Sequence, residues 1–163
     1  MSGAFADSYI GRLRGKFGHD LLHVPGVRSV VENGDGNLLL HLRTDMEVWS
    51  FPGGGPEHGD DVLTQLIRET KEETGLTPLN AKAFGFASTP ETSILRYPNG
   101  DVCHYHDLVF YTTDYDGELR RQNDESLDVD WFAPDNLPDC LNNVAVTVDA
   151  YLRFKDCGEF QIF

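Results

Sequence analysis

Six carboxylates crowd into the 23 residues from Gly54 to Leu76, GGPEHGDDVLTQLIRETKEETGL: Glu57, Asp60, Asp61, Glu69, Glu72 and Glu73. Only Arg68 and Lys71 oppose them in this stretch. On a helix Glu69 and Glu72 stand at i,i+3, and Glu69 and Glu73 at i,i+4, so their carboxylates share one side. Each such like-charge pair costs an isolated helix about 0.2–0.5 kcal/mol. The group also falls near the helix C-terminus, where the dipole disfavours anions. Charges that oppose their own helix imply an external cation. Carboxylate oxygens are hard ligands and suit Mg²⁺ or Mn²⁺. The glycine-rich run before the helix brings backbone N–H groups close to an anion. Together these features fit a site for a diphosphate.

The elements that must hold this site are legible in outline. Asp60 or Asp61 serves as N-cap of the acidic helix, and Gly75 sits where a left-handed C-terminal residue belongs. Val62, Leu63, Leu66 and Ile67 supply its expected apolar face. Upstream, Gly26–Glu32 and Asn37–Arg43 read as strands joined by Asn33-Gly34-Asp35-Gly36, a strong hairpin signal. A short run, Val48–Phe51, leads into Pro52-Gly53-Gly54-Gly55-Pro56. Strands are expected at Ala81–Ser88, Val102–Thr113 and Val129–Phe132, with a turn at Tyr97-Pro98-Asn99-Gly100. A closing helix spans Asn143–Lys155, with Val144, Val148, Tyr151 and Leu152 on one side. A first helix, Asp7–Phe17, carries Arg12, Arg14 and Lys16 on a solvated face. Strands and helices mix without strict alternation, which predicts an α/β fold with a mixed β-sheet.

Composition bounds the partners. The 163 residues carry 13 Lys+Arg against 27 Asp+Glu, a formal net charge of −14. Polymeric nucleic acid and anionic membrane surfaces are excluded as partners on this charge, because both call for basic patches. Three widely spaced cysteines form no C-x-x-C pair, which favours a reducing compartment and a cytoplasmic location. A homodimer stays open as the assembly.

Gly54–Leu76 resembles the Nudix box, G-x5-E-x7-R-E-U-x-E-E-x-G-U with U aliphatic. Gly54, Arg68-Glu69, Glu72-Glu73 and Gly75-Leu76 fall at the required spacing. The match covers 23 contiguous residues, and the layout around it is also similar to that of small Nudix hydrolases. Two positions depart: Asp60 replaces the early Glu, shortening its reach by about 1.5 Å, and Thr70 replaces the first aliphatic residue. Thr70 is accommodated if its hydroxyl bonds back to a carbonyl one turn earlier.

The resemblance implies a Nudix-like α/β/α sandwich and a single domain over residues 1–163, with 1–24 as an N-terminal helical extension. It implies a Mg²⁺- or Mn²⁺-dependent hydrolase for a small phosphorylated nucleotide. The linkage cut is the diphosphate of a nucleoside diphosphate joined to another moiety, in the ADP-ribose, nucleotide-sugar, nucleoside triphosphate or dinucleoside polyphosphate class. Glu69, Glu72, Glu73 and Gly54 are the expected metal ligands, Glu72 the first choice of general base, and Arg68 its orienting partner. Glu125, in a late acidic loop, is read equally as a ligand or base and as a solvated residue. His58 and Trp49 are candidate substrate contacts, against simple exposure for the first and core packing for the second. His104 and His106 share one side of a strand, where packing or surface roles outweigh phosphate contact. Pro90 lies near the place of a proline typical of ADP-ribose-cleaving relatives. The competing reading is a nucleotide-binding sensor with the Nudix fold and little turnover, motivated by Asp60 alone.

Overall fold

A computed structural model describes residues 7–163; residues 1–6 of the expected N-terminal extension lie outside them. The centre is a mixed six-stranded sheet. Its middle strands, β1 (Leu22–Val31) and β8 (Val102–Thr112), run parallel in unbroken register from Leu22 opposite Cys103 to Val31 opposite Thr112. β4 (Gly53–Gly54) pairs antiparallel with β1. β6 (Lys82–Ala87) and β7 (Ile94–Arg96) pair antiparallel with β8. β11 (Gln161–Ile162) adds parallel to β6. A second sheet sets β2 (Leu38–Arg43) between β10 (Ser126–Phe132) and β3 (Trp49–Ser50). β5 (Leu76–Leu79) and β9 (Asp114–Gly117) form a separate antiparallel pair.

The turn at Asn33–Gly36 forms as expected, but a long hairpin does not. Asn33 Oδ1 accepts from the amides of Asp35 and Asn37, the local bonding that suits Asn to turns. β1 and β2 then share only the bridge Glu32–Leu38. Both edges of each strand are already taken, β1 by β8 and β4, β2 by β10 and β3. The chain therefore turns and passes from one sheet to the other.

Alternate residues of the central strands face opposite layers. Val30 and Val109 pack with Phe84 against Val144, Val148 and Tyr151 of the C-terminal helix α4 (Asn142–Cys157). Burying each such side chain contributes roughly 1.5–3 kcal/mol. Leu152, expected on this face, is exposed, and Ala150 is buried instead. On the other face Val27 and Phe110 meet Leu66 of α2 (Val62–Thr74).

α2 departs more strongly from its expected face. Val62, Leu63 and Ile67 are exposed, while Gln65, Leu66, Thr70, Glu73 and Thr74 are buried. The helical spacing survives but is rotated onto polar residues, each of which finds a partner. Gln65 Nε2 donates to Gly54 O at 2.7 Å, Thr70 Oγ1 to Leu66 O at 2.7 Å and Thr74 Oγ1 to Thr70 O at 2.6 Å. Thr70 thus satisfies its hydroxyl within the helix, as buried polar groups must. Of the two N-cap candidates it is Asp61 whose side chain accepts from Thr64 N, and Gly75 ends the helix at φ 84°.

The first helix, α1 (Tyr9–Phe17), carries a second correction. Arg14 does not lie on a solvated face but is buried. It donates to Gly18 O, Asp20 O and Val102 O at 3.0, 2.6 and 2.7 Å. From the last turn of the helix the guanidinium binds carbonyls of the chain reversal that follows it and ties the helix to the start of β8. Pro90 opens a short helix, α3 (Pro90–Ser93), a position its fixed φ suits.

Candidate active site

The C-terminal half of α2 and the loop after β3 build the site together. Arg68 is the organising group. Its Nε donates to Asp60 Oδ2 at 3.0 Å, and its Nη1 to Glu69 Oε1 at 2.8 Å and Glu72 Oε2 at 3.2 Å. The shorter Asp60 side chain therefore still reaches its cation, and Arg68 offsets part of the negative cluster beside it.

One carboxylate oxygen from each of Glu69, Glu72 and Glu125 lies within 4.8 Å of the other two. Glu125 comes from the loop before β10, so tertiary folding completes a group that α2 alone begins. Burial pushes the Glu69 carboxyl up to about 7, with Arg68 opposing and Glu125 and Glu72 adding to the rise. Burial, then the neighbouring Glu72, raises Glu125 as well. Three hard oxygen donors converging in so small a volume fit Mg²⁺ or Mn²⁺.

Glu73 sits behind this group. Its Oε2 accepts from Gly53 N at 2.8 Å, and its backbone carbonyl accepts from Asn123 Nδ2 and Ser126 Oγ. Burial raises its carboxyl well above the usual range, opposed by Arg43. His41 Nε2 stands 3.5 Å from Glu73 Oε1. Both ring nitrogens of His41 meet hydroxyls, Ser126 Oγ at 2.8 Å and Ser50 Oγ at 3.0 Å. Burial, reinforced by Arg43, lowers the imidazole to about 3, so it is neutral. His41 was not anticipated; a lone histidine in the run Leu38–Arg43 is the signal that could have marked it.

Gly54 lies directly against the cluster. Its carbonyl accepts from Gln65 Nε2, and a Cβ at this position would stand 2.6 Å from Glu69 Oε2. Gly54→Ala is therefore expected to displace the Glu69 carboxylate and lower kcat by about 10²-fold, the scale of a 1 Å misplacement. Its unfolding temperature should fall less than that of Gly53→Ala, whose Cβ would meet Val27 O at 2.2 Å at a φ of 155°. Steady-state kinetics beside thermal melts check both parts.

A cavity of about 580 Å³ opens beside these residues, and Arg43, Tyr97, Tyr105, Glu57, Glu69 and Glu125 are among its walls. The Arg43 guanidinium lies 5.8 Å from the Tyr97 ring centroid and is held by Asp45 through two bonds, 2.9 and 2.7 Å. The Tyr97 and Tyr105 hydroxyls are 2.7 Å apart. Arg43 and Tyr105 carried no sequence signal, because only the tertiary fold brings β2, β8 and the Tyr97 turn around one cavity. Trp49 packs edge-on against Phe132 at 4.7 Å, within the partly buried shell of the main core. His58 is exposed on the loop.

A mixed sheet carrying a carboxylate-lined helix and a glycine loop beside a cavity defines an α/β protein with an acidic, metal-type site. The family model described as NUDIX domain matches residues 22–152. An ADP-ribose pyrophosphatase of Methanocaldococcus jannaschii is 30% identical over 132 residues, 80% of this chain and 73% of that protein. The MutT Nudix hydrolase of Burkholderia pseudomallei superposes with a TM-score of 0.63 at 22% identity, over 79% of this chain and 98% of that one. The Nudix domain of Shewanella oneidensis NrtR, solved with ADP ribose, superposes with a TM-score of 0.65 at 13% identity, over 81% and 88% of the two chains. The chain belongs to the Nudix family and is a Nudix hydrolase.

Proposed function

We propose that this hydrolase cleaves the phosphoric anhydride of a nucleoside diphosphate linked to a second group, in the ADP-ribose class, with Mg²⁺ or Mn²⁺. The convergence of Glu69, Glu72 and Glu125 at the edge of a 580 Å³ cavity carries this reading. The volume suits a whole small nucleotide. The similarity to a relative named ADP-ribose pyrophosphatase supports the substrate class. The bound divalent cation would neutralise diphosphate oxygens and lower the pKa of an attacking water.

The chain's own groups supply the rest. Glu72, an exposed carboxylate of the three, accepts a proton from water as that water attacks phosphorus. The bridging P–O bond breaks, and the departing phosphate carries away the electron pair. Arg68 holds Glu69 and Glu72 in place. Glu73 fixes the Gly53 amide and hence the loop facing the cluster. Tyr97, with Arg43 over its ring, offers a flat wall for a base. The Asp60–Arg68 bond supports turnover over the sensor reading, since Asp60 still reaches Arg68.

No helix among the described residues is long and apolar enough to cross a membrane. Three free cysteines support a reducing, cytoplasmic setting within this reading.

The test is a substrate panel: ADP-ribose, nucleotide sugars, nucleoside triphosphates and dinucleoside polyphosphates, each with Mg²⁺, Mn²⁺ or chelator. Release of monophosphate products from ADP-ribose is expected, abolished by chelation and restored by added Mg²⁺. Turnover that persists in chelator would overturn the metal role, and turnover confined to triphosphates would overturn the substrate class.

A further inference from the structure

A second group of ligand-type side chains lies outside the cavity. His104 and His106 are two residues apart on β8, and the parallel register sets His23 of β1 opposite His104. Alternation along β8 sends Cys103, Tyr105 and Asp107 to the cavity wall and the two histidines to the opposite face. One ring nitrogen from each of the three imidazoles lies within 4.8 Å of the other two. The ring centroids are 4.4 Å apart for His104–His106, 5.0 Å for His23–His104 and 5.2 Å for His23–His106.

We propose that His23, His104 and His106 form a binding site for a borderline transition-metal ion, Zn²⁺, separate from the carboxylate site. Neutral imidazole is a good ligand for zinc and a poor one for Mg²⁺. Three histidines with an open fourth position are a known zinc donor set. His104 is already arranged as such a ligand. Its Nε2 lies 2.8 Å from Ser88 O, a pure acceptor, so that nitrogen carries the proton and Nδ1 keeps the lone pair. A backbone carbonyl fixing the tautomer in this way is the usual support behind a metal-bound histidine. His104 is buried while His23 is exposed, giving one anchored ligand and one free to adjust. Tetrahedral zinc with Zn–N near 2.0–2.1 Å sets its ligand nitrogens roughly 3.3 Å apart. His23 Nδ1 and His106 Nε2 stand at 2.9 Å, bonded to each other. Rotation of the exposed His23 ring opens that pair by the few tenths required.

The test uses the full chain dialysed against limiting Zn²⁺ in excess Mg²⁺, which competes for the carboxylates, with bound zinc measured by elemental analysis. One zinc per chain is expected in wild type and in Glu72→Gln. His23→Ala and His106→Ala should each weaken retention by at least about tenfold, the effect of losing only a supporting partner. Neither residue is in the core, and circular dichroism of both variants should match wild type. With Co²⁺ as probe, the visible absorption of a nitrogen-ligated tetrahedral ion should appear in wild type and vanish in both variants. Zinc retention unchanged in both histidine variants, no zinc in wild type, or loss of zinc in Glu72→Gln would each overturn the proposal.

Discussion

Glu72→Gln is expected to lower kcat by about 10²–10⁴-fold, the usual contribution of a positioned general base. That is about 3–5.5 kcal/mol of transition-state stabilisation. The unfolding temperature should hardly move. The Glu72 side chain is 51% exposed, and its ion-pair partner Arg68 keeps Asp60 and Glu69. A Mg²⁺ titration separates its two possible duties. A variant that has lost only a metal ligand regains rate as Mg²⁺ rises, because occupancy is restored. A variant that has lost the base keeps a low kcat at saturating Mg²⁺ with KM little changed. We expect the second pattern. A rate near wild type at saturating Mg²⁺ would move the proton acceptor to Glu125 or Glu69, whose oxygens share the same small volume.

What could be read from the chain alone follows the range of the interactions. Arg68, Glu69, Glu72 and Glu73 lie within two helical turns, so spacing alone placed them side by side, and local caps bounded their helix. Glu125 was undecided because its approach depends on the loop that Asn123 and Ser126 anchor to the Glu73 carbonyl. The apolar face of α2 was misread because hydrophobicity marks burial only where water is the alternative. Thr70, Thr74 and Gln65 satisfy their polar atoms internally and take the buried side, leaving Val62, Leu63 and Ile67 outside. Arg14 was misread for a related reason: the carbonyls it meets at Gly18, Asp20 and Val102 come from chain reversals with no pattern in sequence. The histidine cluster was half legible. His104 and His106 were placed on one side of a strand, but His23 joins them only through the parallel β1–β8 register.

Arg28→Ala should destabilise the protein by about 3–5 kcal/mol, the cost of stranding one member of a buried ion pair. At roughly 2–4 °C per kcal/mol for a chain of this size, the unfolding temperature should fall by about 6–20 °C. Arg28 Nη2 donates to Asp107 Oδ2 and Nη1 to Thr147 Oγ1, each at 2.6 Å, and both charged side chains are nearly inaccessible. The pair joins β1, β8 and α4 at the floor of the cavity. Even Gly26 belongs to the arrangement, since a Cβ there would stand 2.2 Å from Asp107 Oδ1. Burial already raises the Asp107 carboxyl, and Arg28 is the largest opposing influence. Without Arg28 the folded-state pKa of Asp107 climbs further above its unfolded value. A carboxyl raised in this way favours the fold while protonated and works against it as pH rises through the folded pKa. The loss in Arg28→Ala should accordingly be smallest near pH 4 and grow toward neutrality, whereas wild type shows less of this trend. Asp107→Asn in the Arg28→Ala background removes the stranded charge and should recover part of the lost stability at neutral pH. Thermal melts of the four proteins across pH form a double-mutant cycle. Equal losses at pH 4 and pH 8, or no recovery on adding Asp107→Asn, would show that the Arg28 stem and not its charge supports the cavity floor.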